Sequence, residues 1–282
     1  MISTIIERTC MSLSKEDRAG VAAGATVLIG SNFIVKIIGL IYKIPLVNII
    51  GSEGMGYFSS ALEIYTLILT IFVSGGSVAV SKMIAESYAL ERYREVRKVM
   101  LLLTAMFLFI GAAGTYVMYF GSRQFAVSVG NELATLSVIA LSPAIFFLAL
   151  STVLRGYFQG LGNMRPTGVS QVVEALFKLL VGIGAALILK KFAYSSDVVS
   201  AGAISGTTVS TIIGALIMMF FYFSSRRRRE LDALAAQGGE CDTTKKLLSS
   251  FLKIVIPLTL SSVVVNLTGV LDLFLIFNRL KS

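Results

Sequence analysis

Residues 20–50 form one apolar run interrupted near its centre by Lys36. A helix rises about 1.5 Å per residue and a bilayer core is about 30 Å thick, so a run of this length crosses a membrane. Lys36 then lies roughly 15 Å or more from either surface, beyond the reach of its own stem. Burying an ammonium in hydrocarbon costs at least about 2.5–3.5 kcal/mol, so the side chain is expected to face a bundle interior or a wet cavity. Asn32, Lys36, Gly39 and Lys43 follow at i, i+4, i+7 and i+11 and form one stripe. A polar, cationic stripe on a membrane helix demands an anionic ligand or a buried carboxylate partner.

Further apolar runs fall near 57–81, 99–120, 133–154, 168–189, 198–223 and 254–277. Charged residues make up 15 % of the chain, against about 25 % in soluble domains. With a mean hydropathy of +0.82, this predicts an all-α integral membrane protein of about seven transmembrane helices. With the N-terminus inside, 17 basic residues fall on the cytoplasmic side and 6 outside, while Lys36 and Lys178 lie within spans. That split predicts a multi-pass protein of the cell membrane with a cytoplasmic N-terminus. It also accounts for the net charge of +9, so no nucleic-acid partner is expected. Residues 1–20 read as a cytoplasmic tail, 21–225 as a six-helix lobe, 226–252 as a basic cytoplasmic linker and 253–282 as a seventh helix. No cleavable signal is evident, since the first twenty residues carry Arg8, Lys15 and Arg18 without a long apolar core. Cys10 and Cys241 both fall in the segments placed in the cytoplasm, where a disulfide is not expected.

GSEGMG at 51–56 is a short glycine-rich turn joining the first two spans as an antiparallel hairpin. Centred near Glu53, it places Lys43 level with Glu63. Span two carries its own stripe of Ser59, Glu63, Thr66 and Thr70. Two facing stripes read as a cavity wall, or Lys43 and Glu63 neutralise each other as a buried pair. Gly75 and Gly76 favour a kink or a close helix contact. Residues 86–98 read as a mixed-charge amphipathic segment, a cytoplasmic helical loop lying on the headgroups. Pro143 is expected to bend span four, and Pro166 to open span five in the first-turn position. Arg155 marks the cytoplasmic end of span four. On span five, Gln171, Glu174 and Lys178 share a face, with Lys178 again near mid-depth; Glu174 and Lys178 have the spacing of an intrahelical pair. The RRRR run at 226–229 reads as a stop-transfer anchor and an anionic-lipid patch, and 230–246 as a linker.

Several stretches resemble the multidrug/oligosaccharidyl-lipid/polysaccharide exporter superfamily, in the branch of stage V sporulation protein B and related polysaccharide biosynthesis proteins. They are KIIGLIYKIPL at 36–46, GSEGMGYF at 51–58, SGGSVAVSKMIAE at 74–86, LRGYFQGLGNMRPTGVSQVVE at 154–174 and the final VVNLTGVLDLFLIFNRL. The resemblance implies the N-terminal six-helix lobe of a MATE-like fold plus the seventh helix that opens a second lobe. Lys36 falls where related lipid II flippases have a first cavity arginine, and Tyr42, beside Lys43, where they have a second. A basic residue of their second span is not matched at Leu67–Leu69. Alternating access needs two bodies, so the resemblance implies a truncated product or split gene, or a second polypeptide or second copy supplying the other half.

The function so implied is a flippase for polyprenyl-pyrophosphate-linked saccharides, working with membrane lipid and a lipid-linked oligosaccharide substrate. Lys36, Lys43, Asn32 and Arg155 are the expected substrate-binding residues. Glu63, Glu174, Lys178 and Gln171 are the expected ion-coupling or cavity-charge residues. Rival readings are a cation-coupled multidrug efflux transporter and an inactive or assembly membrane protein. An enzyme is not expected: the chain has no histidine, no metal-ligand cluster and no nucleophile motif, and no cofactor is implied.

Overall fold

The computed structural model describes the backbone of residues 15–238 and 241–281, and side chains across 26–238 and 241–264. Of the tail expected at 1–20, residues 1–14, including Cys10, lie outside the described residues, and the rest from Lys15 is helical. The helices in chain order are α1 (Lys15–Val73), α2 (Gly76–Ala89), α3 (Tyr93–Phe120), α4 (Ser122–Ser128), α5 (Thr135–Gly160), α6 (Arg165–Lys191), α7 (Ser196–Ser224), α8 (Arg226–Ala236) and α9 (Thr244–Lys281). Among the described residues, six helical stretches are long and apolar enough to cross a membrane. The first, Thr26–Ala89, is long enough for two crossings.

That first stretch folds back at Gly51, whose φ of 72° and ψ of −179° lie outside helical space and cost a glycine little. Tyr42 and Phe58 would stand about 24 Å apart on a straight helix. Their ring centroids are 6.3 Å apart. Residues 15–50 and 52–73 are therefore two antiparallel arms, as the glycine-rich turn predicts, and the six stretches provide seven crossings. The end at Gly51 is further tied by Lys190, whose Nζ donates to the Ile49 carbonyl at 2.5 Å.

Gly75 breaks the chain again at a φ of 73°, and α2 starts at Gly76. A Cβ on Gly76 would lie 2.4 Å from the Phe107 ring, so kink and close contact both occur here. Residues 86–98 are helical except for a short turn. They divide between the end of α2 and the start of α3 around a tight turn at Glu91, which has a φ of 55°. Pro143 sits inside α5 without ending it. Proline removes the donor that the Ile139 carbonyl needs, and Ser142 Oγ supplies one at 2.6 Å. Pro166 occupies the first turn of α6, as expected.

Two apolar cores hold the bundle. One joins the arms of α1 to α5, α6 and α7 around Leu46, Phe58, Leu141, Ile145 and Ile204. The other joins α2, α3, α5, α8 and the start of α9 around Val80, Ile84, Leu103, Phe158 and Phe251. Glycines set the closest crossings: Cβ atoms on Gly156 and Gly160 would meet Val80, Ile84 and the backbone of α2 at 2.6–2.9 Å. The basic stretch expected as linker is partly helical. Ser225 caps α8, its hydroxyl accepting from the Arg228 amide at 3.3 Å. The last helix starts at Thr244, earlier than the apolar run alone indicated, because Lys245 and Lys246 continue it as a polar first turn.

Candidate functional site

A cavity of about 620 Å³ opens between the two arms of α1 and helices α5, α6 and α7. The first arm contributes Asn32, Gly39, Tyr42 and Lys43, and the second contributes Ser59, Glu63 and Tyr65. Arg155 enters from α5, Gln171, Glu174 and Lys178 from α6, and Thr207, Ser210 and Thr211 from α7. Residues far apart in sequence meet here because the hairpin sets the stripes of its two arms against the polar face of α6.

Seven of the eight expected site residues, Asn32, Lys43, Glu63, Arg155, Gln171, Glu174 and Lys178, line this one cavity. Lys36 does not. It is exposed on the first arm, with no hydrogen bond or ion pair among the described residues. The expectation of an interior Lys36 is corrected by helix phase. Lys36 is turned about 40° from Asn32, toward the exposed face of Phe33, Leu40 and Ile44. At its depth the cavity lies on the other flank, beside Val35, Ile38 and Tyr42.

The charges pair differently from the spacing-based alternatives. Lys43 and Glu63 both line the cavity, but no ion pair joins them. Glu174 does not pair with Lys178 one turn on. It accepts a hydrogen bond from Arg155 Nη2, and the two side chains are 13 % and 18 % exposed. A methyl on Gly214 would collide with the Glu174 carboxylate, so that bare stretch of α7 is what seats it. Lys178 Nζ stands 5.7 Å from the centroid of the Tyr42 ring, and the Tyr42 hydroxyl donates to the Ala203 carbonyl at 3.2 Å. Aromatic support of this kind is worth about 0.5–2 kcal/mol, well short of a neutralising carboxylate.

Three buried polar atoms on the cavity wall lack a protein partner: Arg155 Nε, Gln171 Oε1 and Thr207 Oγ1. Buried polar groups are normally satisfied, so water or ligand completes them. Tyr65 and the hydroxyls of α7 were not singled out from the sequence, and Tyr42 was marked only through the family resemblance. Thr207, Ser210 and Thr211 do carry a signal, a polar i, i+3, i+4 triplet inside an apolar span. Periodicity gave Tyr42 no signal, since it shares its face with Ile38 and Leu46.

Among the described residues, seven crossings, five of them around a charged cavity, define a multi-pass α-helical membrane protein, and known structures share its fold. An inward-facing multidrug resistance MATE family transporter of the MOP superfamily matches with a TM-score of 0.64 at 19 % identity, over 79 % of this chain and 50 % of that one. A MOP superfamily transporter from Pyrococcus furiosus Vc1, described for the reverse polarity of its binding pocket, matches with a TM-score of 0.67 at 16 % identity, over 85 % and 52 %.

Residues 21–282 match the profile of the polysaccharide biosynthesis protein family, and the chain belongs to that family. Its similar relatives in Bacillus subtilis (strain 168) include stage V sporulation protein B, 28 % identical over 68 % of this chain and 36 % of the relative. The lipid II flippase MurJ is 29 % identical over the same shares. The uncharacterized membrane protein YabM is 26 % identical over 88 % of this chain and 46 % of its own length. The chain thus spans less than half the length of these relatives.

Proposed function

We propose that this chain supplies one wall of a flippase for polyprenyl-pyrophosphate-linked saccharides, with its basic end toward the cytoplasm of a cell membrane. The observation that carries this reading is the charge of the cavity. Lys43, Arg155 and Lys178 face Glu63 and Glu174, and Arg155 with Glu174 cancels, leaving Lys178 and Lys43 against one carboxylate. An ammonium in a membrane cavity without a carboxylate partner is costly unless an anion or water meets it. A pyrophosphate supplies that anion. The saccharide is polar enough for Gln171, Asn32 and the α7 hydroxyls, and the lipid chain stays in the bilayer. Lys36 then acts from the rim, where a second body, another polypeptide or a second copy, would close over the exposed flank of the first arm. Glu63 is the carboxylate free to take a coupling cation. The names of the flippase and polysaccharide relatives support the same substrate class.

The test is export in cells whose only copy of the complete transporter carries the substitution. Lys178→Ala and Lys43→Ala each lower export at least about tenfold, the worth of one charged hydrogen bond, and lipid-linked saccharide accumulates. Lys36→Ala produces a smaller loss. Unchanged export in Lys178→Ala, or a gain of sensitivity to cationic drugs with normal precursor levels, would contradict the assignment and favour the efflux reading.

A further inference from the structure

A second basic concavity lies at the opposite end of the bundle from Gly51. It has a volume of about 520 Å³ and is lined by Arg94, Arg97, Lys98, Leu101, Ala235 and Cys241. Arg94, Arg97 and Lys98 occupy the first two turns of α3, where the helix macrodipole already presents positive charge. Cations there repel the helix end unless an anion sits among them. Among the described residues no carboxylate lines the concavity. Glu95, beside Arg94 in sequence, is buried and accepts from Ser87 Oγ at 2.8 Å and the Asp242 amide at 3.0 Å, while Lys98 Nζ donates to the Asp242 carbonyl at 2.8 Å and the Asp242 carboxylate pairs with Lys246. Arg97 reaches Asp232 only at 3.8 Å, and Asp232 is shared with Arg228. Arg94 is exposed and has no partner among the described residues.

The floor of the concavity identifies the source of the anion. Leu101 is 65 % exposed, and Ala105 and Phe109 continue the same exposed stripe down α3 at i+4 and i+8. That stripe belongs to an apolar crossing, so its exposed side faces hydrocarbon. Cations one turn above a hydrocarbon-facing stripe match a phosphate headgroup with its acyl chain lying along the helix.

We propose that this concavity binds the headgroup of an anionic phospholipid, with Arg94, Arg97 and Lys98 on the phosphate and an acyl chain along Leu101, Ala105 and Phe109. The orientation proposed above would put this lipid in the cytoplasmic leaflet, and the binding itself does not depend on it. The site is independent of the transported substrate. It also relocates the anionic-lipid patch expected at the RRRR run. Arg228 of that run stacks on Tyr222 at 4.4 Å and pairs with Asp232, and Arg227 donates to the Tyr88 hydroxyl at 2.8 Å. Those two side chains hold α8 against the bundle.

Cys241 on the wall is a built-in reporter. With Cys10→Ser in the full chain it becomes the single thiol, and its labelling by an uncharged maleimide is followed in nanodiscs. Phosphatidylcholine containing phosphatidylglycerol is expected to slow labelling several-fold relative to phosphatidylcholine alone. Arg94→Gln is expected to cut that protection about fivefold, and Arg94→Lys to retain most of it. Arg226→Gln with Arg229→Gln, which removes exposed charge outside the concavity, leaves protection in place. Equal labelling in the two lipids would overturn the proposal. So would protection that survives Arg94→Gln with Arg97→Gln but is lost with Arg226→Gln and Arg229→Gln, which would mark diffuse surface attraction. Protection by inorganic phosphate in phosphatidylcholine alone would assign the cations to a soluble anion and overturn the lipid source.

Discussion

Gly206→Val is expected to unseat α6 from α7 and to cost more stability than the loss of any one cavity charge. A Cβ at Gly206 would stand 2.5 Å from the Gly182 amide nitrogen, 2.6 Å from its Cα and 3.0 Å from the Lys178 carbonyl oxygen. All three are backbone atoms, so no rotamer change relieves the clash and the helices must separate. Overpacking of this kind costs about 1–3 kcal/mol, and a branched side chain against backbone belongs at the top of that range or beyond it. The same movement carries Lys178 and Gln171 away from Thr207, so the cavity widens as the fold weakens. Thermal unfolding in detergent measures it. Gly184→Ala on the same α6 is the matched control, because nothing lies within 4 Å of its Cβ, and its melting temperature should equal or slightly exceed that of the parent.

Glu174→Ala is the second large effect, and it acts through charge. Removing one partner of a buried ion pair costs about 3–5 kcal/mol because the other charge is stranded. Arg155 and Glu174 are partly wetted by the cavity, which places the expected loss at or below the bottom of that range. Arg155 also has an unpartnered Nε already, so little else on the wall compensates it. The double variant Glu174→Ala with Arg155→Ala should be more stable than Glu174→Ala alone, since it removes the stranded guanidinium. Glu174→Ala should also bind an added pyrophosphate more tightly, because Arg155 is released toward the cavity. A double variant less stable than the single one would show that the pair is not the source of the cost.

Much of this architecture was legible because membrane helices announce themselves. The apolar runs, Gly51 and Gly75 follow from hydrocarbon thickness and from the few residues that can turn inside it. The stripes of Asn32, Gly39 and Lys43 and of Gln171, Glu174 and Lys178 were legible from the 3.6-residue period, and the folded chain turns both toward one cavity. Periodicity fixes direction only within about 40°, however, and that margin separates Lys36 from the wall it was expected to join. It also cannot choose among partners. Glu174 has Lys178 one turn away, but the crossing of α5 over α6 brings Arg155 closer, and tertiary contact outcompetes an i, i+4 preference worth a few tenths of a kcal/mol. Helix α8 was hidden for a different reason. Four consecutive arginines read as a topological stop, and the capping serine before them is visible as such only once the helix is known to continue.

The proposed function requires the cavity to hold an anion between Lys43 and Lys178. Its most direct measurement is equilibrium binding of a polyprenyl-pyrophosphate-linked saccharide to the purified chain in nanodiscs, compared with a polyprenol that lacks the pyrophosphate. The parent should hold the pyrophosphate lipid and not the polyprenol, and Lys43→Ala with Lys178→Ala should weaken binding by at least about tenfold. Equal affinity of the two lipids, or undiminished binding in the double variant, would contradict it.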